Sequence, residues 1–314
     1  MKLADAIAEY ITHMQAAGRR YVAQITLLRY FSRSMGELEV RDVPPEAVRS
    51  FCENRGTAAS YRRNVHCTLG RFYRYLIAQG HAVPFPIPSV LPKRPADFTP
   101  YIYSIEELRR LLAATDSYYR CKTQRGLHGK TFRALLLLLY GAGLRISEAL
   151  SLTLADVNVS TSLLTIRESK FYKTRLVPVG PDLNRVLRNY LDKQRPTFRA
   201  TSSDPLFVSH KGASFTRNTA EKSFRRLRTF TGLYRSGGPR CQPRLHDLRH
   251  TFAVHRLLAW YRAGADVQRL LPHLATYLGH RELSGTQRYL TMTPELLREA
   301  GLRFQTYAMG GTHD

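Results

Sequence analysis

Between His246 and Tyr289 the chain gathers most of its side chains able to act on a phosphate group. The segment HDLRH sets His246, Arg249 and His250 at the start of an amphipathic run, in which Leu248, Phe252, Val254, Leu257, Leu258 and Tyr261 recur at roughly helical spacing until Gly264. Residues three and four apart are neighbours on a helix, so these polar groups crowd one end of it. A second helical run, Val267 to Leu278, stops at Gly279, where a helix C-terminus favours a left-handed residue, and His280 opens the turn. Tyr289 follows nine positions later, enough for a turn and a short helix to fold it back toward His280. Earlier, Arg145 stands directly behind the Gly141-Ala142-Gly143 break with Glu148 three residues on, a spacing that lets a carboxylate brace a guanidinium in a pocket. Lys170 and Lys173 lie at the tip of a hairpin between Leu163–Ile166 and Arg175–Val179, where lysines also serve simply to keep an edge soluble.

These side chains need a scaffold, and composition bounds it. At 314 residues the chain has room for two domains. It carries 48 Lys and Arg against 24 Asp and Glu, a net charge of +24, yet 43% of it is hydrophobic, so it is folded and strongly basic. Up to Pro100 there are 14 basic and 8 acidic residues, with 34 and 16 beyond, so both halves are positive. Arginine is threaded through apolar helices, which implies basic faces on folded domains and nucleic acid as partner. The four cysteines form no CxxC pair and are expected to be reduced. No signal-peptide core is visible, and the longest apolar run, Ala134 to Tyr140, is far too short to span a membrane. A cytoplasmic, nucleoid-associated protein with no membrane contact is expected.

In chain order, residues 1–80 read as four helices. Leu3, Ile7, Tyr10, Ile11 and Met14 stripe the first and Ile25, Leu27, Leu28, Tyr30 and Phe31 the second; Pro44-Pro45 starts the third. The fourth, Ala58 to Gln79, sets Arg62, Arg63, Arg71 and Arg74 among Tyr61, Phe72, Tyr73 and Tyr75, which suits a DNA-facing helix and equally an ordinary bundle helix with a basic face. His81 to Pro95 holds five prolines and reads as a stiff linker, so residues 81–100 separate the first domain from a second at 101–314. That second domain opens with a Ser104-x-x-Glu107 capping box and continues through the ALLLLLY helix, the hairpin, helices at Asp182 to Lys193 and Thr216 to Thr231, and a short LFVS strand between those two helices. Lys222, Arg225, Arg226 and Arg228 make a phosphate-contacting face on the later helix. Thr293-Pro294-Glu295 starts a last helix at 293–308 with Leu296, Leu297, Ala300 and Phe304 as its apolar stripe. The fold is expected to be mainly α with a small β-sheet or hairpin.

Taken together these residues resemble the tyrosine recombinase, or phage integrase, family, and the resemblance covers essentially the whole chain. Its GLR-x-SE context is matched by Gly143 to Glu148, its hairpin lysine best by Lys170, its H-x-x-R by His246 and Arg249, its LGH by Leu278 to His280, and its tyrosine by Tyr289. The resemblance implies an N-terminal helical, SAM-like core-binding domain and a C-terminal catalytic domain. It also implies a site-specific recombinase that joins Tyr289 to a 3′ phosphate of double-stranded DNA. Arg145, Arg249 and His280 would hold the phosphate oxygens, His246 would act as acid or base, and Lys170 would protonate the departing 5′ oxygen. His250 reads as a bracing histidine. No cofactor and no metal are expected, and the partners are DNA with other copies of the chain or related recombinases in a synaptic tetramer, where the 293–308 helix reaches a neighbour.

The match departs from the family in places. Phe171-Tyr172 replaces the glycines usual in the hairpin turn, so Lys173 could take the role given to Lys170. The segment between HTFA and LGH is longer than in XerC- and XerD-like, chromosome-resolving members and looks more like that of mobile-element integrases, while CKTQRGLHGK, Cys121 to Lys130, is a basic insertion. Two rival readings exist. HDLRH imitates the H-E-x-x-H zinc site with Asp247 in place of the glutamate, and the same fold could bind DNA without cutting it.

Overall fold

The structure, a computed structural model, describes residues 1–19, 21–53, 59–81, 83–90, 99–120, 129–167, 174–195, 201–209, 212–280 and 282–308. It divides into two compact units, with the boundary between Phe98 and Thr99. The first unit holds α1 (Leu3–Ala16), α2 (Val22–Met35), α3 (Pro45–Glu53) and α4 (Ala59–Ala78). The apolar stripes meet as their spacing requires: Leu3, Ile7, Tyr10, Leu28, Phe31, Val48, Phe72 and Leu76 are all buried in one cluster. Phe31 meets Phe51 edge-on at 5.0 Å. On α4 the core claims the aromatics, because Phe72 and Tyr73 point inward while Arg71 and Arg74 are exposed and Arg62 and Arg63 are half-buried. The helix thus packs into the bundle through Phe72 and Tyr73 and carries a basic face, on which Tyr61 is also exposed.

The proline-rich segment is non-helical where it is described, but its first half is no free tether. Ile87 is buried in the first unit, Val83 packs beside it, the Pro88 carbonyl pairs with His66 Nε2 at 2.7 Å, and the Arg74 guanidinium lies over the Phe85 ring. Apolar side chains between the prolines found a surface to bury against, so this half is anchored on the first unit and is not an extended linker.

The second unit comprises α5 (Ile105–Arg120), α6 (Gly129–Gly141), α7 (Ile146–Ser151), β1 (Val157–Asn158), β2 (Leu163–Ile166), β3 (Arg175–Pro178), α8 (Pro181–Asn189), α9 (Arg217–Phe230), α10 (Asp247–Arg262), α11 (Val267–Leu278), α12 (Ser284–Gln287) and α13 (Pro294–Ala308). The strands form an antiparallel sheet in the order β1-β2-β3, with Leu164 opposite Val177 and Ile166 opposite Arg175. The Ser104 and Glu107 side chains reciprocate with each other's backbone N–H at the start of α5, as a capping box should. Among the described residues no helix is long and apolar enough to cross a membrane.

Two expectations fail here for identifiable reasons. LFVS is not a strand: it takes part only in one isolated bridge, Val208 with Ser214, next to another between Thr153 and Pro205. Leu206, Phe207 and Val208 are all buried, so the segment lacks the alternation of a half-exposed strand, and the Leu206 carbonyl accepts from the Tyr190 and Arg195 side chains instead. On α13 the expected stripe splits between two faces. Leu296 is buried against α10 and Ala300 half-buried, but Leu297 and Phe304, seven apart and so on one side, are exposed, Phe304 by 69%. The helix starts as expected, with the Thr293 hydroxyl accepting from Leu296 N–H, and it lies on its own chain. Arg262 pairs with Glu295 and Glu299, and Arg303 donates to the Gly264 and Ala265 carbonyls.

Gly143 joins α6 to α7 at φ +59, and a Cβ there would come within 2.5 Å of the Phe252 ring and 2.9 Å of Leu278. Gly143→Ala is therefore expected to lower unfolding stability by about 2–4 kcal/mol, combining backbone strain with overpacking. The check is the shift in urea midpoint at constant slope.

Candidate active site

The site forms where the end of α6, the start of α7, β3, α10 and the end of α11 converge. Glycines at Gly141 and Gly143 end α6, and Arg145 then caps α7. Glu148, one turn into that helix, accepts from Arg145 N–H at 3.0 Å and from Arg145 Nη1 at 2.6 Å, so the brace inferred from spacing is present. The remaining Arg145 bond, Nη2 to the Gly279 carbonyl at 2.9 Å, ties α7 to the turn that carries His280.

Arg249, on the inner face of α10, is only 2% exposed. It donates to the Gly143 carbonyl at 2.7 Å and the Leu278 carbonyl at 2.6 Å, and Nη1 lies 4.0 Å from Glu148 Oε2. A third guanidinium completes the arrangement. Arg175, at the start of β3, donates Nη1 and Nη2 to the two Glu148 oxygens at 3.1 and 2.9 Å, and its Nε to the Tyr277 carbonyl at 3.1 Å. The carbonyls of Tyr277, Leu278 and Gly279 are the partly negative end of α11, so three cations gather where a helix end favours them. Gly279, left-handed at φ +68, is required there because a Cβ would lie 2.9 Å from Arg175 Nη1.

The electrostatics follow from this crowding. Burial pushes the Glu148 carboxyl up, but the hydrogen bonds and charge of Arg175, then those of Arg145, bring it down to about 2, so it stays ionised. Burial, helped by the charge of Arg145, lowers Arg249 to about 10. The histidines are pushed the same way: His246 to about 4 by burial and then Arg249, His280 to about 4 by burial and then Arg249, and His250 to about 3 by burial and then His246. All three are neutral near pH 7 and can each offer one N–H and one lone pair.

α12 and the turn after it, Arg288–Thr291, do fold Tyr289 back. Its ring stacks on His280 at 6.1 Å, and its hydroxyl pairs with His250 Nδ1 at 3.1 Å. His280 Nδ1 in turn pairs with the buried Thr286 hydroxyl at 2.6 Å, which fixes the imidazole's orientation. His246 and His250 sit edge-to-face at 5.0 Å. Tyr289 is 1% exposed, and burial raises its pKa against the opposing pull of Arg249 and Arg288.

Of the residues singled out from sequence, Arg145, His246, Arg249, His280 and Tyr289 are thus brought together. Lys170 and Lys173 lie outside the described residues. Arg71, Arg74, Arg225 and Arg226 are exposed, Arg62 and Arg63 half-buried. Arg228 leaves the expected phosphate-contacting face, since its Nη1 donates to the Pro243 carbonyl and holds the segment leading into α10. Asp247 does not stand in for the glutamate of a zinc site: fully buried, it accepts from Arg244 N–H and Nη2 at 2.8 and 2.9 Å, so its oxygens are committed to the start of α10. Sequence reasoning missed two residues. His250 was read as a brace, although its i, i+4 relation to His246 put it on the same face. Arg175 was read as strand, although alternation sets it on the face of the fully buried Val177, where a cation needs a partner.

The phage integrase family profile matches residues 104–295. Among curated proteins, the integrase/recombinase y4rB of Sinorhizobium fredii is 42% identical over 239 residues, 74% of each chain. Tyrosine recombinase XerD of Listeria monocytogenes is 28% identical over 291 residues, 90% of each chain. Among solved structures, the Tn1549 transposon integrase in complex with transposon right end DNA superposes with a TM-score of 0.68 over 98% of this chain and all of the other, at 16% identity.

Three half-buried histidines lowered from 6.5 bind protons more weakly folded than unfolded. Stability is therefore expected to fall as pH drops from about 6.5 toward 4. Glu148, depressed to about 2, adds stability above about 4.5 that is lost only as pH falls through about 2. Melting temperature against pH should show the first decline in the native chain and a flatter curve in a His246→Gln, His280→Gln double variant.

Proposed function

The chain belongs to the phage integrase family, and from that premise we propose how its side chains divide the work of the reaction. It is a site-specific recombinase that cuts and rejoins DNA, and its partners are DNA and other recombinase protomers. In this reading the Tyr289 oxygen attacks the scissile phosphorus, the bond from phosphorus to the 5′ oxygen breaks, and a 3′-phosphotyrosyl link forms. The link keeps the energy of the phosphodiester, so a second 5′ hydroxyl can displace the tyrosine without ATP. Arg145 and Arg249 offer planar forks to the non-bridging oxygens as charge builds on them, and His280 donates a further hydrogen bond. His246, neutral and beside the arginines, exchanges the tyrosine proton, and Lys170, or Lys173 in its place, gives one to the 5′ oxygen.

The observation that carries this reading is the position of Tyr289: its ring stacks on His280 and its hydroxyl meets His250 within the fold of chain that holds Arg249. That position is also shielded, so attack needs the 284–291 segment to shift. α13 directly follows this segment and is held largely by ion pairs and a single fully buried leucine, Leu296. Its exchange onto a neighbouring protomer would tie the freeing of Tyr289 to assembly of a synaptic tetramer. The exposed Leu297 and Phe304 suit such a neighbour. Arg62, Arg63, Arg71 and Arg74 on the first unit and Arg225 and Arg226 on the second are assigned to DNA phosphates. The enzyme is placed in the cytoplasm, at the nucleoid.

Tyr289→Phe is expected to abolish covalent capture of DNA while binding persists, and a 3′-linked adduct surviving in that variant sinks the assignment. Arg145→Ala or Arg249→Ala should slow cleavage by about 100- to 1000-fold, the loss typical of one fixed donor to a developing charge. Lys170→Ala should be rescued by a 5′-phosphorothiolate at the scissile bond, whose sulfur leaves without a proton; rescue of Lys173→Ala instead transfers the role to Lys173. Deleting the chain from Thr293 onward should halt recombination, and full-rate synapsis by the truncated protein refutes the exchange.

A further inference from the structure

Arg175 belongs to none of the roles above, yet its guanidinium makes two hydrogen bonds to Glu148, where that of Arg145 makes one. Bracing Arg145 with a carboxylate carries a cost: it sets a negative charge beside the place where a phosphate must bind. With Arg145, Arg249 and Glu148 alone the cluster would have one uncompensated positive charge. Arg175 raises this to two, facing a phosphodiester whose negative charge grows on its oxygens as the tyrosine attacks.

We propose that Arg175 is a positioning residue for strand cleavage: by occupying both oxygens of Glu148 and offsetting its charge, it keeps Arg145 and Arg249 oriented and electrostatically free toward the scissile phosphate. The inference rests on the phosphotyrosyl reading given above. Three observations carry it. The two Glu148 oxygens are each shared, Oε1 between Arg145 Nη1 and Arg175 Nη1, and Oε2 between Arg145 N–H and Arg175 Nη2, so losing Arg175 frees Glu148 to swing. The Arg175 side chain is 13% exposed and Glu148 6%, so water replaces the lost bonds poorly. Finally, the Nε bond to the Tyr277 carbonyl, with Gly279 left bare of a Cβ to make room, fixes the guanidinium to the turn that carries His280.

A merely structural clamp between β3 and α11 would behave differently from this, and the difference is measurable without DNA. Arg175→Gln removes the strongest pull on the Glu148 carboxyl and leaves burial to push it up, so the variant takes up a proton at higher pH than the native chain. The melting-temperature gap between the two proteins should then be widest above about pH 5 and narrow as pH falls toward 3. Arg145, Arg249, His246 and His280, which face this cluster from α7, α10 and the turn after α11, are common to both proteins and drop out of the difference. Packing alone gives a gap that does not change with pH.

For cleavage, the probe is a nicked duplex chosen by native enzyme from a pool with a randomised core of about 30 base pairs. On it Arg175→Gln should slow Tyr289 adduct formation by about 100-fold, the loss expected of one displaced donor, while affinity measured in the Tyr289→Phe background stays within about threefold. Arg175→Lys, which keeps the charge and loses the fork, should recover at least tenfold of that loss. Because Glu148→Gln removes the charge that Arg175 offsets, the Arg175→Gln, Glu148→Gln double variant should cleave no more slowly than Arg175→Gln alone. The proposal is overturned by a pH-independent stability gap, by Arg175→Gln cleaving within threefold of the native rate, by loss of affinity matching the loss of rate, by Arg175→Lys no faster than Arg175→Gln, or by a slower double variant. If the native chain yields no Tyr289-dependent adduct, the phosphotyrosyl reading has failed instead, and the stability gap still decides whether Arg175 governs Glu148.

Discussion

Glu148 is the constraint on which the site depends. A carboxylate buried to this degree is costly unless its lone pairs are filled, and here three guanidiniums approach it from three separate parts of the chain. The interaction works in both directions. The arginines keep the carboxylate ionised, and the carboxylate keeps mutually repelling cations close enough to meet one phosphate. Because each arginine also donates to a main-chain carbonyl at Gly143, Tyr277, Leu278 or Gly279, the cluster joins α7, β3, α10 and α11 into one body.

That body explains the state of the histidines. Packed beside arginines and shielded from water, His246, His250 and His280 are held neutral well below their ordinary range. A neutral imidazole can donate to a phosphate oxygen or accept from a tyrosine, whereas a charged one could do only the first. The same shielding raises the Tyr289 hydroxyl, so it rests protonated in its hydrogen bond to His250. Chemistry and access are thus separated: the cationic cluster is assembled, while Tyr289 is buried in the segment that leads into a helix paired with its own chain through Arg262.

How much of this was legible in the sequence depends on the distance over which each feature acts. The Ser104 and Glu107 box, the glycine stops at Gly143 and Gly279, the Thr293 cap and the Arg145 brace each operate within a few residues, and all appear as read. LFVS was misread because a wholly buried segment has no alternation to distinguish strand from coil. The α13 stripe was misread because apolar spacing shows that a helix has faces and does not say which one the body will take.

By itself, then, the sequence determined the helices, their ends, and the set of residue types that act on a phosphodiester, since these follow from spacing along one chain and from side-chain chemistry. Only the tertiary structure decided which cations share a carboxylate. Arg175 meets the Tyr277 carbonyl across 102 residues and Arg249 meets Gly143 across 106, and no local pattern encodes such a meeting. It also decided that His250 is the group at the Tyr289 hydroxyl, 39 residues away, because the partner of a buried polar atom is set by how helices pack and not by the order in which they are written.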